Sequence, residues 1–163
     1  MKIIFEPKTY KIVKGAILVI AVVMITYVAY AATQLSISNT GSVTTLGANW
    51  QGATFAPATV PNCATAPYSD TPAPITTWSV PASGSQTAGI CVKNISTSSH
   101  TFTVTTAALT GSITVAYSDT TNPTPSATIT SASILAGSTD LVTVTVSAGS
   151  TSSGSLSFTT NIA

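Results

Sequence analysis

Cys63 and Cys91 are the two cysteines of this 163-residue chain, and His100 is its one histidine. A thiolate beside an imidazole could serve as a nucleophile, and Cys with His could hold a metal. Neither chemistry is well supplied. A zinc site needs further ligands that the chain lacks. Cys91 and His100 stand nine residues apart across a predicted hairpin, which does not bring them together. Asp70, Asp119 and Asp140 each neighbour Ser, Thr or Pro and read as turn formers bonding local backbone. They lack the spaced Asp/Asn pattern of a dedicated calcium loop. Lys93 could form an isopeptide bond with an Asn, but it is the one Lys after the leader, and no Glu follows the leader. No catalytic residues, cofactor-binding residues or metal ligands can be named, and the expectation is a non-enzyme without cofactors. What remains for Cys63 and Cys91 is each other. Two cysteines in an exported chain most simply pair, the alternative being free thiols. The bond would close a 29-residue loop and stabilise by about 3–4 kcal/mol in the chain-entropy model.

The shortage of reactive groups is general. Five Lys and four acidic residues make the chain 6% charged, against about 25% in a typical soluble protein. Lys2, Glu6, Lys8, Lys11 and Lys14 give the first 14 residues a charge of +3. Asp70, Lys93, Asp119 and Asp140 give the rest −2. With no Arg and no basic patch, the chain is not expected to bind nucleic acid. Hydroxyls replace the charges: there are 31 Thr and 22 Ser. The 44% of hydrophobic residues alternate with those hydroxyls in short runs, which favours a folded β-domain over a disordered stalk.

The Lys-rich start precedes GAILVIAVVMITYVAYAA, an uncharged run from Gly15 to Ala32. A basic n-region, an apolar h-region and a small-x-small end together read as a signal peptide over residues 1–31. Cleavage is expected after Ala29-Tyr30-Ala31, between Ala31 and Ala32. Two alternatives stand. Uncleaved, 18 helical residues span about 27 Å and could act as a membrane anchor. Lys14-Gly15 also resembles the processing site of archaeal type IV pilin-like precursors, with cleavage after Gly15. Each places the remainder outside the cell, in contact with the membrane only through the N-terminal segment.

Strand signals follow. ITTWSV over 75–80, Ile113-Val115-Tyr117 with intervening Thr114 and Ala116, and LVTVTV over 141–146 alternate at period two. Leu35–Ser38, Ala88–Ile95, Thr101–Thr106, Ala127–Thr130 and Ser155–Phe158 read similarly. Asn39-Thr40-Gly41 reads as a turn. The expectation is all-β: a single β-sandwich of 7–9 strands, Ig-like or jelly-roll, after an N-terminal apolar signal or anchor helix. Residues 32–43 form an N-terminal strand and hinge, and 44–163 the sandwich. Residues 46–74, with five Pro from Pro57 to Pro74, form a long excursion with room for one short strand. Cys63 would tether it to the Cys91 strand. Asn94-Ile95-Ser96 is the one N-x-[ST] sequon without Pro, which makes Asn94 a candidate N-glycosylation site. The many Ser and Thr could accept O-glycans.

The segments ATQLSISNTGSV, GICVKNISTSSHTFTVTTAAL, SASILAGSTDLVTVTVSAGS and the closing LSFTTNIA, in that order, resemble secreted archaeal filament proteins. These are the threads and bundling pili, similar in fold to TasA-type biofilm matrix fibre proteins. The resemblance covers roughly residues 32–163. It implies an exported β-sandwich that forms a head-to-tail homopolymer by donor-strand complementation. A donor strand must be extended and apolar at alternate positions. Leu35 and Ile37 fit, with Asn39-Thr40-Gly41 as hinge. The alternative is that Leu35 and Ile37 open the domain's own first strand. The leading expectation is a structural subunit of an extracellular filament. The alternatives are a membrane-anchored or S-layer-associated adhesive domain, with the excursion and Trp50, Phe55 and Trp78 as contact surface, or a pilin-like subunit.

Overall fold

The computed structural model divides the chain into two units, 1–35 and 36–163. It describes residues 37–109, 112–150 and 156–163, all in the second unit. The apolar leader, the Ala31–Ala32 junction and Leu35 lie outside the described residues.

Nine strands are present among the described residues: β1 (Ile37–Leu46), β2 (Trp50–Phe55), β3 (Ile75–Val80), β4 (Ser85–Asn94), β5 (Thr103–Leu109), β6 (Ile113–Ser118), β7 (Thr128–Thr130), β8 (Thr139–Ala148) and β9 (Leu156–Ile162). They form a five-stranded sheet, β3-β1-β9-β5-β7, and a four-stranded sheet, β2-β4-β8-β6. Every pairing is antiparallel except β1 with β9, which run parallel. The all-β expectation therefore holds in the described residues.

The period-two runs show why these segments form strands. In β8, Val142, Val144, Val146 and Ala148 are buried, while the intervening Thr143, Thr145 and Ser147 are half-buried. In β6, Ile113, Val115 and Tyr117 alternate with more exposed residues. β-branched side chains suit this pleated surface, and each buried one contributes about 1.5–3 kcal/mol over leaving it exposed. The inward rows of both sheets meet in one core that includes Trp50, Trp78, Phe102, Tyr117 and Phe158. The Tyr117 hydroxyl links the layers. It lies 2.9 Å from Thr106 Oγ1 of β5 and 3.1 Å from Thr160 Oγ1 of β9. Burial pushes the Tyr117 pKa up, and the two hydroxyl partners oppose that shift.

β4 departs from alternation: Ala88 to Val92 are buried without a break. Its outward-facing Gly89 and Cys91 are covered by the Pro-rich excursion. Added at Gly89, a Cβ would collide with Pro61 Cγ, so the ring packs directly on the backbone.

Candidate functional site

The turn expected at Asn39-Thr40-Gly41 is instead part of β1. The strand runs on to Leu46, with a register shift between Asn39 and Gly41 against β3. Pairing on both sides replaces a hinge at that point. Ile37 lies opposite Val80, Ser38 opposite Ser79, and on the other side Gly41 pairs with Phe158 and Thr44 with Asn161. Ile37 is thus the first residue of a strand paired within its own chain. Leu35, the other proposed donor residue, precedes the described region.

β1 is the first strand among the described residues yet interior in its sheet. Its seat is flanked by β3 and β9 and floored by an aromatic pair. Trp78 and Phe158 meet edge to face, with centroids 5.7 Å apart at 64°. Gly41 crosses directly above them. A Cβ there would lie 2.6 Å from Phe158 Cζ and 2.9 Å from Trp78 Nε1. That Nε1 is buried without a hydrogen-bond acceptor, an expensive state for an indole N–H. β1 leaves its seat through Gly47-Ala48-Asn49. The Gly47 amide donates to Ile162 O at 3.2 Å, and the Trp50 amide donates to Gly47 O at 2.9 Å.

The sheet edges are largely closed, as soluble β-proteins require. The excursion runs along β2, where Gly52 and Ser69 exchange backbone hydrogen bonds of 3.0 and 2.9 Å. Gln51 Nε2 donates to Asp70 Oδ1, and Thr54 Oγ1 donates to Ala73 O. Edge strand β6 is met by Ser126, which exchanges bonds of 2.7 and 2.9 Å with Tyr117. Edge strand β7 is three residues long. Edge strand β3 has its Ser79 amide held by Gln86 Oε1 at 2.8 Å.

The excursion itself is a strap. Cys63 and Cys91 form a disulfide, the pairing expected of the chain's two cysteines. Tyr68 Oη donates to Cys63 O at 2.7 Å, and Lys93 Nζ stands 5.5 Å from the Tyr68 ring centroid. Burial raises the Tyr68 pKa, opposed by a hydrogen bond with Thr139. Trp50 and Trp78 are buried in the core at 4% and 2% exposure. They are not the exposed platforms that an adhesive reading of the strap would use. Phe55 is half-buried.

Asn94, the sequon's acceptor, is a buried hydrogen-bond hub. The sequon suggested a glycan, but the side chain is fully buried. Its Nδ2 donates to Ser98 O at 2.8 Å and Ile134 O at 2.9 Å, while Oδ1 accepts from the Ser96 amide. A sugar on Nδ2 would cost one of these bonds. The residue instead ties together the loops at one end of the sandwich.

Of the remaining polar residues, His100 bonds Ser98 Oγ at 3.0 Å and contacts Trp50 edge-on. Asp119 behaves as the turn former expected. Its Oδ1 accepts from the Thr121 amide at 2.8 Å and from both the backbone and side-chain nitrogens of Asn122. Asp140 Oδ1 accepts from the Leu141 amide. Among the described residues no group of three or more His, Cys, Asp or Glu comes together. No family model matches this chain, and no curated protein matches it.

Proposed function

We propose that this chain is the structural subunit of an extracellular surface filament, assembled head to tail by exchange of its first strand. The observation that carries the reading is the position of β1. It adjoins the leader in sequence but fills an interior gap between β3 and β9. Withdrawn, it would leave two unpaired strand edges and the Trp78–Phe158 floor. A neighbour's β1 would restore the same main-chain bonds, with alternating side chains fixing register. Such a contact is heterologous and does not close, so it propagates a fibre. The closed outer edges favour exchange over edge-to-edge addition. The short Gly47–Asn49 connection is the hinge, since short connections promote swapping.

Export fits the rest of the chain. The basic and apolar leader reads as a secretory signal, and the disulfide is the chemistry of an oxidising compartment. A hydroxyl-rich surface carries little charge repulsion against close stacking. The test has two parts. Mass spectrometry of surface material should give a mature N-terminus at Ala32. A start at Ala16 would indicate pilin-like processing, and an intact leader an anchor. Second, Leu35→Asp with Ile37→Asp should yield secreted, folded monomers and no filaments by electron microscopy. Filaments that persist would refute strand exchange.

A further inference from the structure

Two carboxylates at one end of the sandwich are left without a counter-charge. Asp119 continues the inward row of β6 after Ile113, Val115 and Tyr117. Asp140 continues the inward row of β8 before Val142, Val144 and Val146. Ser118 pairs with Thr143 across these strands, so Asp119 falls level with Val142 and Asp140 is its diagonal neighbour. Diagonal positions of this kind lie about 7–8 Å apart at Cα, within reach for two carboxyl groups. The two charges do interact. Burial first, and the charge of Asp119 in addition, push the Asp140 pKa up against a backbone hydrogen bond.

The stronger observation is Asp119 itself. The residue is 7% exposed. Oδ1 accepts all three bonds that the carboxylate receives, from Thr121 and Asn122, and Oδ2 is buried with no partner. A buried carboxylate oxygen left bare is costly, and such groups are met by a hydrogen bond, a cation or a metal. Among the described residues no side-chain cation answers it. Lys93, the one Lys among the described residues, sits over the Tyr68 ring on the outer side of the sheet. His100 is engaged by Ser98 and Trp50.

We propose that Asp119 Oδ2 and the Asp140 carboxylate bind a hard divalent cation, calcium, at the loop end of the sandwich. Half-exposed Asp140 leaves room for water to complete the six to eight oxygen ligands that calcium accepts in flexible geometry. Magnesium, which demands a compact octahedron, suits two carboxylates on adjacent strands less well. With two protein carboxylates the affinity falls in the weak range of extracellular modules, a Kd on the order of 10⁻⁴–10⁻³ M. Binding would join β6 to β8 and lock the Asp119–Asn122 turn.

The test is thermal unfolding of the full chain with and without 10 mM CaCl2 (about ten times the weakest Kd expected), beside equal MgCl2. Calcium should raise Tm by several degrees and magnesium by less. Asp140→Asn should abolish the calcium shift without lowering Tm in chelator, because it also removes the repulsion. Asp119→Asn keeps the Oδ1 acceptor and should also lose the calcium shift, with a lower Tm in chelator because its Nδ2 is buried without an acceptor. Terbium luminescence, sensitised through nearby Tyr117, supplies a readout independent of stability and should vanish in Asp140→Asn. The proposal is overturned if calcium leaves Tm unchanged, if magnesium acts equally, or if Asp140→Asn retains the calcium shift or the terbium signal.

Discussion

Replacing Gly41 by Ala tests the seat of β1 directly. The added methyl would meet Phe158 Cζ at 2.6 Å and Trp78 Nε1 at 2.9 Å, so something must move. Neither ring has an easy retreat. Both are buried, and each packs edge to face on the other. Overpacking of this kind costs about 1–3 kcal/mol. Against it stands the lower backbone entropy of Ala in the unfolded chain, worth about 0.4–1 kcal/mol. The net expectation is a loss of about 1–2 kcal/mol, or a Tm drop of about 3–10 °C for a domain of this size. Guanidinium unfolding followed by Trp fluorescence measures it. Phe158→Leu, which takes away the clashing Cζ, supplies the second arm of a double-mutant cycle. Gly41→Ala should cost less in that background than in the parent. The same clash would hinder β1 in a neighbour's seat, so filament yield should fall with stability. A Gly41→Ala domain as stable as the parent, or a coupling near zero with Phe158, would refute this picture of the seat.

Other consequences are equally open to measurement. Asn94→Ala removes its bonds to the Ser98 and Ile134 carbonyls, which keep Ser96 Oγ and the His100 amide as donors, and leaves the Ser96 amide without its acceptor; it should cost about 1–3 kcal/mol in chemical denaturation. Intact-mass analysis of the Asn94 peptide from native material should show no glycan. Cys63→Ser with Cys91→Ser should lower stability by about 3–4 kcal/mol in the chain-entropy model and make the strap a site of proteolytic nicking. The folded-state pKa of Asp140 is raised from 3.8 and that of Tyr117 from 10.0. Each group therefore stabilises the fold below its unfolded pKa and loses that contribution as pH rises through the folded value. Tm should hold or rise slightly on going from pH 6 to 3, and fall above pH 10; a steep loss on acidification would contradict this assignment.

The strands that alternate cleanly were legible. The predicted run over 75–80 coincides with β3, and β6 and β8 follow their Thr–Val rows, because period two is a local signal. β1 was only half legible. Asn, Thr and Gly at 39–41 carry turn chemistry, and what makes them strand is pairing with β9, more than a hundred residues away. Gly41 signals flexibility in sequence, but its use is close approach to two rings. Trp50 and Trp78 suit a core or an exposed platform equally by type, and the inward register decides for the core. The sequon at Asn94 is a three-residue pattern blind to burial, so the hydrogen-bond hub was hidden. The Cys63–Cys91 bond was readable because the chain offers those thiols few other partners. Asp119 read correctly as a turn former, but its bare Oδ2 depends on how the turn packs against β8.

Strand exchange is the central claim, and a covalent trap across the β1–β3 register decides it. Ser38 and Ser79 are opposite each other in that pairing. Ser38→Cys with Ser79→Cys, oxidised in assembled filaments, joins whichever chains supply the two strands. The account predicts a ladder of covalent multimers beyond the dimer on non-reducing gels, with the linking peptide carrying both positions and collapse to monomer on reduction. Filaments that dissolve into internally cross-linked monomers would contradict it, since β1 would then sit in its own subunit.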